Sequence, residues 1–147
     1  MEKIKSESDL VRYFIENSIY NDIYDKNDEI KCLQEFVIPD GYKRNRVDLL
    51  LLNYSKEKIA LIEFKNRKLC PNDFFQIAKY YRDFLRIHDY EPSVVECYLI
   101  GKHTTSKSFN SMISMGIESL KVYFFYEDED KIKLHNQDKF YSMLDLW

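Results

Sequence analysis

Hydrophobic residues along this chain change period several times, and each change marks an element. Leu10, Val11, Phe14 and Ile15 recur at helical spacing within Ser6 to Tyr20, with Ser6 placed to cap and Asp9 three residues on. Ile30 to Ile38 reads as a strand closed by the turn signal Pro39-Asp40-Gly41. Arg46 to Asn53 and Lys58 to Asn66 are two further strands, and the short polar turn Asn53-Tyr54-Ser55-Lys56 predicts that they form an antiparallel hairpin. After Pro71, helical spacing returns with Phe74, Ile77, Tyr81, Phe84 and Leu85 across Asp73 to His88. Val94 to Ile100, ended by Gly101, then Leu120 to Tyr126 and Lys131 to Leu134 are predicted strands, while Ser106 to Met115 and Gln137 to Leu146 carry helical patterns. The order αβββαβ with additions, over 147 residues without a repeat, linker or low-complexity segment, predicts one α/β domain spanning 1–147.

Three polar residues interrupt the apolar strands. Asp48 lies in Arg46-Val47-Asp48-Leu49-Leu50-Leu51-Leu52, and Glu63 and Lys65 lie in Ile59-Ala60-Leu61-Ile62-Glu63-Phe64-Lys65. An ionised carboxylate inside a buried strand costs several kcal/mol unless a cation or hydrogen-bond donors meet it. Strand alternation puts Leu61, Glu63 and Lys65 on one face and Ile62 and Phe64 on the other, and pairing of the two strands lets Asp48 face the same spot. Two carboxylates beside an ammonium make a hard-oxygen site suited to Mg²⁺ or Mn²⁺.

Asp48 at the head of one strand and Glu63-Phe64-Lys65 on the next resemble the PD-(D/E)XK nuclease superfamily. The surrounding residues, Arg46-Val47-Asp48-Leu49-Leu50 and Ile62-Glu63-Phe64-Lys65 across a short turn, are similar to the branch that includes NucS-like and RecB-like nuclease domains. Gln76-Ile77-Ala78-Lys79-Tyr80 on the second helix is similar to the Gln-x-x-x-Tyr element of RecB-like members. The resemblance runs from Glu7 to Tyr126. It implies a restriction-endonuclease-like core, a mixed central sheet flanked by helices, and metal-dependent hydrolysis of phosphodiester bonds, with DNA ahead of RNA as substrate and endonuclease action expected. By the same resemblance Asp48, Glu63 and the Phe64 carbonyl would hold Mg²⁺ or Mn²⁺, Lys65 would orient water and neutralise the phosphate, and Gln76 would join the catalytic set. A third acid would come from Glu7, Glu16 or Glu35; Glu16, near the middle of the first helix among apolar neighbours, is favoured. Arg44, Arg46, Arg67, Lys68, Lys79 and Arg82 are the candidates for phosphate contacts. One such site per chain means that double-strand cutting would need a homodimer or two encounters.

The net charge of −3 argues against a nucleic-acid binder until its distribution is considered. From Gly41 to Arg86 eleven Lys and Arg stand against five Asp and Glu, a balance of +6, which leaves 11 − 20 = −9 for the rest. The positive segment is the one that contains the acid pair, where a phosphate backbone would lie. Cys32, Cys70 and Cys97 are widely spaced and odd in number, which supports neither a zinc site nor a disulfide framework, nor the four-cysteine cluster of Cas4-like nucleases. No run approaches membrane-spanning length and Met1-Glu2-Lys3-Ile4-Lys5 lacks a leader's apolar stretch, so an intracellular, cytoplasmic setting without a membrane partner is expected.

Plainer readings of the same residues stand beside these. Asp48 would form a structural salt bridge with Arg46 or Arg44, Glu63 and Lys65 would be exposed neighbours on an edge strand, and Gln76 would close a capping box begun by Asp73. Lys56 and Lys58 would be turn and edge residues on a solvated face. The competing function is a catalytically silent nuclease-fold module that binds nucleic acid or a protein partner.

Overall fold

The computed structural model describes residues 4–40, 43–102, 120–129 and 131–136. Ser6 starts α1 (Glu7–Glu16) by accepting the Asp9 N–H at 3.1 Å. The helix stops before the predicted Tyr20, because Ser18 takes the left-handed conformation at φ 52° and Ile19–Asp22 form a separate 3₁₀ turn. The strands are β1 (Ile30–Asp40), β2 (Lys43–Asn53) and β3 (Lys58–Lys68), followed by α2 (Pro71–His88), β4 (Val95–Lys102), β5 (Leu120–Asp128) and β6 (Lys131–Asn136). The predicted order αβββαβ is the observed one, with β5 and β6 as its additions. The helical patterns at Ser106 to Met115 and Gln137 to Leu146 lie outside the described residues.

The strands form a single six-stranded sheet in chain order. β1–β2, β2–β3 and β5–β6 pair antiparallel, whereas β3–β4 and β4–β5 run parallel, which makes the sheet mixed. The β3–β4 crossover carries α2, as a parallel connection requires. One face buries Leu10 and Phe14 of α1 against Ala60, Ile62, Phe64, Tyr98 and Ile100. Phe14 meets Phe64 edge-on at 5.2 Å, a geometry that adds about 0.5–1.5 kcal/mol to the burial itself. The other face buries Ile77, Tyr80 and Phe84 of α2 against Leu50, Leu61, Val95 and Cys97. Among the described residues no helix is long and apolar enough to cross a membrane.

Alternation along β1 and β2 does not run through unbroken. Leu49 and Leu51 belong to the α1 face, yet Val47 joins Leu50 on the α2 face. In β1, Cys32 faces α1, while Leu33, Phe36 and Ile38 all face α2. Both strands change phase at one level, between Gln34 and Phe36 and at Asp48, where Glu35 has a positive φ of 49°. The outer parts of β1 and β2 therefore curl over α2.

Several charges of the basic segment are committed to holding this frame together. Lys56 bonds Asp25 at 2.7 Å and Asp28 at 2.6 Å, and buried Asn53 bonds Asp28 at 2.9 Å, which ties the loop before β1 to the β2–β3 turn. Pro71 opens α2 earlier than the predicted Asp73, and Asp73 is the third helical residue instead of the cap. Its buried carboxylate accepts the Cys70 N–H at 2.9 Å and a forked pair of bonds from Arg67 at 2.8 and 2.6 Å. The guanidinium beside it holds Asp73 below the ordinary carboxylate range despite burial, which by itself raises it. Replacing Arg67 with Ala leaves that carboxylate short of two donors and should cost about 1–3 kcal/mol. Urea unfolding should show this loss for Arg67→Ala, whereas Arg82→Ala on the exposed side of α2 should stay within about 0.5 kcal/mol of the parent.

Candidate active site

Where β2 and β3 part, their acids take over the hydrogen bonds of the ladder. Backbone pairing between the strands runs from Asn53–Lys58 to Leu49–Ile62 and ends there. At the next position the Asp48 N–H donates to Glu63 Oε1 at 2.9 Å, and the Phe64 N–H donates to Asp48 Oδ2 at 2.8 Å. Each carboxylate satisfies a donor that the diverging strands would leave unpaired. Glu63 is buried at 3% exposure, Asp48 and Lys65 are half-buried, and β3 lies between β2 and β4, so Glu63 and Lys65 are not exposed neighbours on an edge strand. Arg46 is exposed and lies 3.6 Å from Glu35, not against Asp48, so a salt bridge from Arg46 to Asp48 is not formed; the Arg44 side chain lies outside what is described.

β3 bulges directly after the acids. Phe64 pairs with Ile100 and Lys68 with Lys102, so Lys65, Asn66 and Arg67 stand opposite the single residue Gly101. Gly101 is required for space: a Cβ there would lie 2.7 Å from Leu69 Cγ and 3.2 Å from the Arg67 carbonyl oxygen. The bulge keeps Lys65 near the acids, whose carboxyls its charge pulls downward.

Burial is the strongest influence on both acids. It raises the Asp48 carboxyl, against the bond from the Phe64 N–H. Burial and then the Asp48 charge push the Glu63 carboxyl up to about 8. The Glu7 charge, from the first turn of α1, raises both. Of the three candidates for a third acid, Glu7 is therefore the one electrostatically linked to the pair. Glu16 is exposed at the far end of α1, and Glu35 is exposed on β1 beside Arg46. Glu7 stands at the capped end of its helix without the apolar neighbours of Glu16, so local sequence did not single it out.

α2 brings Tyr80 within electrostatic reach of the acids. Tyr80 is buried, and its hydroxyl is raised by burial and then by the Glu63 charge. The Gln76 side-chain amide donates to the Tyr80 hydroxyl at 3.0 Å. Since α2 begins at Pro71, Gln76 is not part of the capping box and is engaged with Tyr80 instead. Of the basic candidates, Arg67 is held by Asp73, Lys79 lies 3.3 Å from Asp83, and Arg82 and Lys68 are exposed. Arg44 occupies β2 opposite Pro39. The described acids, histidines and cysteines do not form a group of three or more that would hold a metal.

No protein family and no curated protein matches the chain in sequence. Solved structures do match its fold. A repair endonuclease from Pyrococcus abyssi superposes with a TM-score of 0.57 at 16% identity, over 83% of this chain and 47% of that one. The structure of an EndoMS–double-stranded DNA complex gives 0.57 at 18% identity, over 82% and 46%. A protein of unknown function gives 0.50 at 11% identity, over 81% and 61%. The chain spans less than half the length of the first two, and these likenesses establish a restriction-endonuclease-like fold.

The raised Glu63 pKa carries a definite sign for stability. Between its ordinary value of 4.5 and about 8, the folded protein keeps a proton that the unfolded chain has released, so stability falls as pH rises through that window. Melting temperatures in chelator should decline across it. Glu63→Gln, which keeps an oxygen for the Asp48 N–H, should remove much of the decline, and an equal slope in parent and variant would contradict this assignment.

Proposed function

We propose that this protein is a metal-dependent nuclease that hydrolyses phosphodiester bonds in DNA. The reading rests chiefly on the convergence of Asp48 and Glu63, locked by each other's strands, with Lys65 beside them. The repair endonuclease and the DNA-bound EndoMS among its structural neighbours support the choice of substrate. Two converging carboxylates and the Phe64 carbonyl are a hard-oxygen donor set, and Mg²⁺ is commonly held by one or two carboxylates with water completing its shell. The pair's mutual repulsion and burial fit a divalent cation, which would relieve both. Asp48, Glu63 and Phe64 would hold Mg²⁺ or Mn²⁺, with Glu7 placed better than Glu16 to add charge. Such an ion would polarise the scissile phosphate and acidify a bound water.

The remaining work falls to groups of the chain itself. Lys65 orients the attacking water and offsets the charge that grows on the phosphate oxygens. Gln76 donates its amide to the Tyr80 hydroxyl, which lies within the electrostatic reach of Glu63, and through it would take part in the site. Lys68, Lys79 and Arg82 contact the backbone without reading sequence. One acidic site per chain means that cutting both strands takes two copies, as a homodimer or in two encounters.

Cleavage of labelled DNA should require Mg²⁺ or Mn²⁺ and stop in chelator. Lys65→Ala should keep nucleic-acid affinity while slowing single-turnover cleavage by about 10²–10³-fold, the usual cost of losing one such donor. Cutting that persists in excess chelator would refute the reading. Metal-dependent binding without any cutting would point to a silent nuclease-fold module.

A further inference from the structure

The acid pair leaves unused a cavity of about 310 Å³ where β3, β4 and β5 end beside the approach to α1. Its lining includes Ile4, Asn66, Lys68, Lys102, Phe125 and Glu127. Lys68 and Lys102 are register partners on parallel neighbouring strands, so their side chains leave the sheet side by side. Like charges so placed repel, and among the described residues neither ammonium has an ion-pair partner. The Glu127 carboxylate is turned to the Ile4 N–H at 3.4 Å. Between these polar groups lie the buried apolar surfaces of Ile4 and Phe125.

We propose that this cavity binds one nucleotide, its phosphate between Lys68 and Lys102 and its base against Ile4 and Phe125, with the Asn66 amide at the base edge. The paired cations supply what a phosphate needs, and the adjoining apolar floor supplies what a base needs. The volume lies at the small end for ligand cavities, which run from about 300 to 1,000 Å³, so it admits one nucleotide and no duplex. A base can enter only if it is unpaired and unstacked, within a strand or as a free mononucleotide. The cavity adjoins the bulge that follows the acids, since Asn66 and Lys68 of that stretch line it. Lys102 had no signal in the sequence beyond following Gly101 at a strand end. Only the nucleic-acid source of the nucleotide depends on the nuclease reading.

Calorimetric titration of the full chain in chelator, with dAMP, deoxyadenosine and inorganic phosphate in turn, tests the proposal without cleavage or metal. The expected order is dAMP tightest, with both fragments weaker by about tenfold or more. Lys102→Ala and Lys68→Ala should each weaken dAMP by about tenfold while leaving the melting temperature and circular dichroism unchanged. Displacement of dAMP by a short single-stranded oligonucleotide but not by its duplex would assign the nucleotide to a strand, and no displacement by either would assign it to the free pool. Failure of dAMP to bind, phosphate binding as tightly as dAMP, or full affinity in folded Lys102→Ala would overturn it. Because these measurements use no cleavage, loss of the nuclease reading with dAMP binding intact would leave the cavity's role standing.

Discussion

Two hydrogen bonds hold the structure at the point where β2 and β3 diverge: Asp48 N–H to Glu63, and Phe64 N–H to Asp48. Without them the parting strands would bury donors with no acceptor, at about 1–3 kcal/mol each. With them, a buried and a half-buried carboxylate are forced together, and both are pushed toward their protonated forms. The exchange thus closes the backbone and strains the electrostatics in one step. A pair of acids used only for structure would be better served by amide side chains, which accept the same bonds without the charge.

The neighbouring irregularities place groups around that exchange. Phase changes at Asp48 and between Gln34 and Phe36 curl the outer strands over α2. The three-against-one bulge opposite Gly101 holds Lys65 by the acids and directs Asn66 and Lys68 to the cavity at the strand ends. The Arg67–Asp73 fork then fixes the first turn of α2, which sets where Gln76 and Tyr80 stand. The β3 bulge and the exchange of bonds between Asp48 and Glu63 lie side by side along β3, whereas the regular parts of the sheet carry the core.

The structure also divides the basic segment by use. Arg67 spends its charge on Asp73, a pair already cancelled within the balance of +6, whereas Lys56 spends its charge on Asp25 and Asp28 outside the segment, so the excess overstates what a phosphate backbone would meet. Arg82 and Lys68 remain on the surface, and Lys102, outside the segment, joins Lys68. Counting charges along the chain does not show which of them are already paired.

Much was legible in the chain itself. The two helices, the hairpin, the α/β order and the meeting of Asp48 with Glu63 follow from patterns local to a few residues, where periodicity and the cost of a buried charge act directly. The predicted Asp73 start passed over Pro71, whose fixed φ suits the first helical position, and the Arg67 bonds to Asp73 are visible only in the folded chain. Sequence favoured Glu16 over Glu7, because the link of Glu7 to Asp48 and Glu63 passes between a helix and two strands. It was silent on Lys102, which meets Lys68 only through strand pairing. Local composition determined which elements and which acids this protein has. Tertiary structure alone decided which distant charges face one another, because Coulomb interactions and hydrogen bonds depend on distance in space and not on separation along the chain.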